Sequence, residues 1–379
     1  MNFDATEEQR LLAASIARFV ERDYAFERRR TIVASPEGMS GDVWRAMADL
    51  GLAALLLPAD CGGFGGGAVD AMAVMEAIGE ALVVEPWLAV AVAAQIVARG
   101  GDDPQRQRLL PGVADGTRRL AFAHAEADAR HDPARVATRA VAGEGGAFVL
   151  TGDKRAVPAA DAVDTLIVSA RTSGDAGSAE GIGLFLVERG APGVSTRALR
   201  MLDGTRAADV ALDGVRVSAD AVLGAPGGAL PLIEDVLDFA TALVCAEAVG
   251  AIRSANDATL DYLKTRRQFG VPIGAFQALQ HRMVDLAIEL EQAKSMASLA
   301  CAAVDGERDR RRRARVVSAA KVRVADACRR VSQESIQLHG GIGMSDELKV
   351  SHTFRRLTAI AQQFGDADHH LARFAALGL

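Results

Sequence analysis

The feature that most narrows the possible folds is a hydrophobic period that changes twice along the chain. Up to about residue 117, apolar residues recur at helical spacing. Over 120–223 they form short β-branched runs separated by glycine turns, and beyond about 227 helical spacing returns in four long stretches. At roughly 100–200 residues per domain, 379 residues suit two or three domains. The expected class is therefore α+β, mainly α. It comprises a helical N-domain over 1–117, a β-barrel or sandwich middle domain over 118–226, and a C-terminal four-helix bundle over 227–379.

Local signals place the elements. Thr6-Glu7-Glu8-Gln9 forms a capping box ahead of Leu11, Leu12, Ile16, Phe19 and Val20 on one helical face. Trp44, Met47, Leu50 and Leu52 suggest a short helix. An Ala/Met/Val-rich helix is expected over 68–82, and another from Pro86 to Gly100-Gly101. The run Cys61-Gly62-Gly63-Phe64-Gly65-Gly66-Gly67 fits no G-x-G-x-x-G register and reads as a flexible loop between helices. Strands are expected at Phe148-Val149-Leu150, Thr165-Leu166-Ile167-Val168, Gly183-Leu184-Phe185-Leu186-Val187 and Val210-Ala211-Leu212. The bundle helices are expected over about 230–264, 276–304, 314–338 and 346–376. Arg308, Arg310, Arg311, Arg312 and Arg313, with Glu307 and Asp309 among them, fall between two of those helices and read as a solvated linker.

Composition excludes several function classes. The net charge is −6 and aromatics are 4%, so neither a field for nucleic acid or anionic lipid nor a base-stacking platform is present. Cys61, Cys245, Cys301 and Cys328 lie far apart, without metal-ligand spacing, as in a reduced cytoplasmic protein. The opening MNFDATEEQR is acidic, unlike a targeting segment, and the apolar run near 81–97 contains Glu85, Pro86 and Gln95. No membrane span, nucleic acid or metal is expected. His369 and His370 are adjacent, so they do not face one site on a helix.

Two motifs carry chemistry. Arg266-Arg267-Gln268-Phe269-Gly270-Val271-Pro272-Ile273-Gly274-Ala275-Phe276-Gln277 joins two long helices, and Gln337-Leu338-His339-Gly340-Gly341-Ile342-Gly343 lies between two later ones. Paired glycines before a helix let backbone N–H groups approach a pyrophosphate, and an arginine adds charge-assisted contacts to phosphate oxygens. On this architecture and in this order, the two motifs resemble the acyl-CoA dehydrogenase family of flavoproteins over essentially the whole chain. Within it, the chain is similar to the bacterial branch that includes small subunits of heteromeric enzymes, such as that of pimeloyl-CoA dehydrogenase.

The resemblance implies FAD as cofactor and an acyl-CoA thioester as substrate. It also implies an electron-transferring flavoprotein as acceptor, and a homo- or hetero-oligomer, dimer or tetramer, with FAD bound across a subunit interface. Residue by residue it assigns Arg266, Phe269, Gln277, Gln337, Gly340 and Gly341 to the ADP half of the flavin. The ring half departs from the family. The T-E-P-x-x-G-S-D loop reads Ala125-Glu126-Ala127-Asp128-Ala129-Arg130-His131-Asp132, keeping the glutamate and the last aspartate. The W-I-T segment reads Ala156-Val157-Pro158, and Pro158 has no N–H.

The family reaction takes an α-proton with a carboxylate while the flavin takes a β-hydride, giving a trans-2-enoyl thioester. The usual glutamate of E-G-T is Phe364 here, ahead of Gly365-Asp366-Ala367-Asp368, and the variant position on the first bundle helix is Ala240. Glu247 is the only charged residue over 239–252, on a stripe with Val236, Ala240, Leu243, Val244, Gly250 and Ala251. It is the expected base. Its alternative is a buried ion pair with a bundle arginine such as Arg323 or Arg329. Asp366 and Asp368 are weaker candidates that could cap a helix. Two rival functions remain open: a non-catalytic partner subunit completing the flavin site of a heteromer, and a flavin monooxygenase of the same fold. The acyl substrate is not readable.

Overall fold

A computed structural model describes residues 6–378; the first five residues of the polar opening lie outside them. Among the described residues six helices precede the sheet: α1 (Glu7–Asp23), α2 (Phe26–Ala34), α3 (Gly41–Asp49), α4 (Ala68–Ala81), α5 (Trp87–Gly100) and α6 (Asp103–Ala114); four of them, α1, α3, α4 and α5, lie where the helical period places them. The Thr6–Gln9 capping box starts α1 with both reciprocal bonds made. Sequence reading missed α2, whose Glu- and Arg-rich sequence has little apolar stripe, and α6, which carries Pro111 inside it.

The glycine run is tied down rather than loose. The Phe64, Gly65 and Gly66 N–H groups donate to the Ala54, Leu57 and Leu55 carbonyls at 3.1, 2.8 and 2.9 Å. A side chain on Gly63 would fall on the Leu57 carbonyl, so glycine there is a packing requirement.

The middle of the chain forms one sheet: β1 (Leu120–Ala123), β2 (Arg139–Ala142), β3 (Phe148–Pro158), β4 (Thr165–Arg171), β5 (Ile182–Glu188), β6 (Val194–Arg200), β7 (Arg206–Val217) and β8 (Val222–Leu223). Its order is β6-β7-β3-β2-β4-β5-β8, with β1 added parallel to β4. That path is open, so the sheet does not close into a barrel. β4 is buried at every residue, its apolar Leu166-Ile167-Val168 run flanked by buried Thr165, Ser169 and Arg171. Leu150, Leu166, Val168, Phe185, Val210 and Val215 build the core.

Helices then return: α7 (Leu230–Thr265), a hairpin of β9 (Arg267–Gln268) and β10 (Val271–Pro272), α8 (Gln277–Gly306), α9 (Arg310–His339), α10 (Lys349–Gln362) and α11 (Ala367–Ala376). Two expectations are corrected. The arginine run is not a linker: the Asp309 carboxylate accepts the Arg311 and Arg312 N–H groups, so α9 starts inside the run. The helix expected over 346–376 is two, because Phe364 and Gly365 adopt φ of +59° and +115° and break the ladder.

Close packing divides the chain into two units. One comprises the stretch ending at Thr31, Gly67–Val83, and Asp238 onward; the other comprises Ile32–Gly66 and Val84–Leu237. In the first unit α7 is buried all round over 238–252, as its Ala, Val, Cys and Gly content allows. Side chains on Gly79 of α4 and Gly250 of α7 would strike the Glu247 and Glu76 carbonyls, so the two helices meet backbone to backbone. Among the described residues no helix is long and apolar enough to cross a membrane.

Candidate functional site

The two long-range motifs are brought together at one end of the bundle. Tyr262, one turn before Arg266, stacks on His339, the residue before Gly340, with ring centroids 4.5 Å apart. The backbone of Arg266 is pinned in both directions: its N–H donates to the Tyr262 carbonyl, and its own carbonyl accepts from Ile273 N–H, both at 2.8 Å. Its side chain is exposed and, among the described residues, makes no ion pair or hydrogen bond. Phe269 sits at the tip of the β9–β10 hairpin with φ +53° and 92% of its surface exposed, edge-on to Phe276. Left-handed backbone in an exposed aromatic residue costs free energy without a folded-state return. Gln277 opens α8 and Gln337 lies in the last turn of α9, both exposed.

Gly340 has φ +66° and its N–H donates to the Gln337 and Ile336 carbonyls, so it caps α9. Nothing lies within 4 Å of where a side chain would stand on Gly340 or Gly341. The surface is open to close approach by a ligand. The glycine pair follows the negative end of α9 rather than opening a helix, so a helix dipole adds nothing for an anion here. Arg266 is the charge available. An exposed cation, an open glycine surface and two exposed amide side chains are groups of the kind that suit the ADP half of a dinucleotide.

In the segments that resemble the ring side, several polar groups are already paired within the fold. The Glu126 carboxylate accepts from the N–H groups of Ala137 and Thr138 at 2.6 and 3.1 Å, the Thr138 hydroxyl at 2.7 Å and Lys154 Nζ at 2.6 Å. Lys154, fully buried, also donates to Ser169 Oγ and the His124 carbonyl. Burial pulls the Lys154 ammonium down to about 8, against the pull of Glu126. Asp132 accepts from Ala134 N–H within its own loop. Arg155 N–H donates to the Ala125 carbonyl and Ala156 N–H to Asp209, while Pro158 has none to give. Asp209 also receives Arg155 and Arg197. The Ala156 N–H foremost, and then these two arginines, hold its carboxyl down at about 2.

Glu247 is 2% exposed, and both its oxygens are engaged by Arg356 of α10, from Nε at 2.6 Å and Nη2 at 2.7 Å. The arginines suggested by sequence have other partners: Arg323 holds Glu289 and Gln292, and Arg329 holds Asp326. Arg356 was missed because 109 residues separate it from Glu247. The one signal was an arginine bordering the stripe Thr353, Leu357 and Ile360, which is buried. Phe364 ends α10; its carbonyl accepts from His370 Nε2 at 3.0 Å, while His370 Nδ1 faces the Ser318 hydroxyl. Burial depresses the His370 imidazole to about 3. Asp366 caps α11 through His369 N–H. Among the described residues no group of three or more His, Cys, Asp or Glu could hold a metal ion.

Comparison with known proteins decides the family. Residues 6–117, 121–215 and 230–376 match the N-terminal, middle and C-terminal domain models of acyl-CoA dehydrogenase. The chain belongs to the acyl-CoA dehydrogenase family. It is accordingly a flavin-dependent oxidoreductase whose cofactor is FAD. Acyl-CoA dehydrogenase FadE12 of Mycobacterium tuberculosis is 33% identical over 95% of this chain and 93% of its own length. Among solved structures, the Tcur3481-Tcur3483 steroid ACAD variant is 32% identical with a TM-score of 0.86, covering 98% of this chain and 97% of that one. The ChsE4-ChsE5 complex of Mycobacterium tuberculosis is 25% identical with a TM-score of 0.89, covering 99% and 98%.

Proposed function

We propose that the chain takes part in α,β-dehydrogenation of an acyl-CoA thioester as one subunit of a heteromeric enzyme. In this reading it holds the ADP half of FAD, and a second chain of the same fold supplies the bed for the flavin ring and the base. When bound, FAD supplies the hydride acceptor for the substrate's β-carbon. Arg266 neutralises pyrophosphate charge, and Gly340 and Gly341 admit the backbone close to it. Gln277 and Gln337 offer amide contacts, and Phe269 covers apolar surface. Glu247, locked to Arg356, keeps a charge balanced inside the bundle.

One observation carries this reading: Arg266, Gly340 and Gly341 are exposed and unspent, whereas Glu126, Asp132 and the Ala156 N–H of the ring-side segments are paired within the fold. That two of the solved structures similar to this chain carry paired-chain names adds support. The acceptor of the electrons is an electron-transferring flavoprotein, and four buried reduced thiols suit a cytoplasmic protein.

The test is the visible spectrum of the chain purified alone and after co-expression with an acyl-CoA dehydrogenase-like neighbour. A colourless chain that gains stoichiometric flavin, bleached anaerobically by an acyl-CoA, only with its neighbour is the expected result. Full flavin and substrate bleaching by the chain alone would instead make it a self-sufficient dehydrogenase. Flavin that consumes oxygen when reduced, with no acyl-CoA bleaching, would point to a monooxygenase.

A further inference from the structure

The segment that carries Gly340 and Gly341 is fixed at two places. Near its start it lies tight on α9: a side chain on Gly343 would meet the His339 Cβ and the Ile336 carbonyl at 2.9 and 3.0 Å. At its far end, ahead of α10, the Asp346 carbonyl accepts from His352 Nε2 at 2.9 Å, and the Asp346 carboxylate accepts from Arg355. His352 is buried, and its other nitrogen, Nδ1, lies 3.0 Å from Nη1 of Arg29 in α2. Arg29, also buried, donates through Nε to the Leu82 carbonyl at the end of α4, 2.7 Å away. Phe26 of α2 stands edge-on to the imidazole at 5.0 Å.

These partners fix where the proton sits. A guanidinium only donates and a backbone carbonyl only accepts, so Nδ1 is bare and Nε2 carries the hydrogen. An imidazolium would set Nδ1–H against the Arg29 N–H groups, two cations with no acceptor between them. Burial is the chief cause that lowers the His352 imidazole. The Asp346 carbonyl opposes it, Arg29 and Arg355 reinforce it, and the Asp346 carboxylate, 3.6 Å from Nε2, opposes it again. Further out, Arg30 acts on Asp346, while Lys349 feels Arg29 and, in the other direction, Glu80 of α4.

We propose that His352 is a positioning residue for the cofactor: uncharged, it ties the glycine segment to α2 and α4, and taking up a proton loosens the segment's grip on FAD. The inference rests on the assignment of Gly340 and Gly341 to the ADP half. The hold is whole above about pH 6.5 and is lost as pH falls through the lowered value of the ring.

The test is FAD affinity of the assembled enzyme between about pH 7.5 and 5.5, in wild type, His352→Gln and His352→Ala. Glutamine offers an acceptor and a donor with nothing to titrate. Wild type should weaken by about 3–10-fold more than His352→Gln over that range, and His352→Ala should be weak throughout. Amide exchange on the flavin-free full chain reads the latch without the cofactor. The Ser345 and Leu348 N–H groups, which donate to the Ile342 and Ser345 carbonyls, should exchange faster in His352→Ala than in wild type or His352→Gln. Equal pH slopes in wild type and His352→Gln, or unaltered exchange in His352→Ala, would overturn the proposal. The slopes alone decide should His352→Ala not fold. Arg266→Ala separates the proposal from the reading beneath it. Undiminished FAD affinity there would fault the ADP-half assignment and the cofactor role with it. Weakened affinity there, beside wild-type affinity in His352→Ala, would overturn the role of His352 alone.

Discussion

A carboxylate enclosed by alanine, valine and cysteine needs a partner in place of the water it has lost, and Arg356 is that partner for Glu247. Removing one side strands the other. Arg356→Leu should therefore lower stability to urea by about 3–5 kcal/mol, whereas the double change Glu247→Leu/Arg356→Leu should recover most of that loss. The kinetic counterpart separates packing from chemistry. Loss of a general base costs about 10²–10⁴-fold in turnover, so Glu247→Gln in the assembled enzyme should stay within about tenfold of wild type. A drop of the larger size would make Glu247 the base. The sequence exposed half of this arrangement: one charge in a fourteen-residue apolar run stood out, but nothing local could name a partner on another helix.

His370 gives a second residue-scale prediction. Its imidazole is depressed to about 3 from an ordinary value of 6.5, chiefly by burial. The native state thus resists a proton that the unfolded chain accepts. The contribution is fully present above about pH 6.5 and declines as pH falls toward 3. By pH 5 the loss should amount to about 1–2 kcal/mol. Thermal midpoints measured between pH 7 and 5 should fall less steeply in His370→Gln than in wild type. Asp209, held at about 2, acts in a lower window: its contribution is present above about pH 3.8 and is lost as pH falls through 2.

At the scale of elements, backbone contact outweighs intrinsic preference. Alanine in a helix interior is favoured over glycine by about 0.8–1 kcal/mol, yet a side chain on Gly79 would strike the Glu247 carbonyl where α4 crosses α7. Gly79→Ala should therefore destabilise, by about 1–3 kcal/mol as an overpacked core site does. A rise in thermal midpoint would show that the crossing can spread at little cost.

The same competition explains what could be read in the sequence. Long periodic helices and β-branched strands were legible because their own residues dictate them. The break at Phe364 was not, because left-handed backbone in a phenylalanine is imposed by the packing around it, including the His370 bond to its carbonyl. The cap on α4 was equally hidden. The Asp305 carboxylate accepts the Ala68 and Val69 N–H groups at 2.8 and 2.9 Å from a position far along the chain.

At the scale of the whole molecule, α1 and α4 lie early in the chain but pack in the same unit as the C-terminal helices. Composition along the sequence does not reveal that grouping. The candidate site has the same character. Its two motifs were legible as residues, but their meeting through Tyr262 and His339 rests on the fold. The proposed sharing of FAD between two chains has a stoichiometric consequence. If this chain grips FAD whose ring rests on a second chain, and offers no ring bed of its own, the assembled enzyme should contain one FAD for every two chains. Arg266→Ala should then lower flavin content in the complex while leaving subunit association intact. Pairing a cation with pyrophosphate through charge-assisted hydrogen bonds is worth about 1.5–3 kcal/mol, so FAD affinity should weaken by about 10–100-fold. Flavin absorbance against total protein, together with sedimentation of the same sample, measures both quantities. Two FAD per pair, or undiminished flavin in Arg266→Ala, would place the cofactor's grip elsewhere in the molecule.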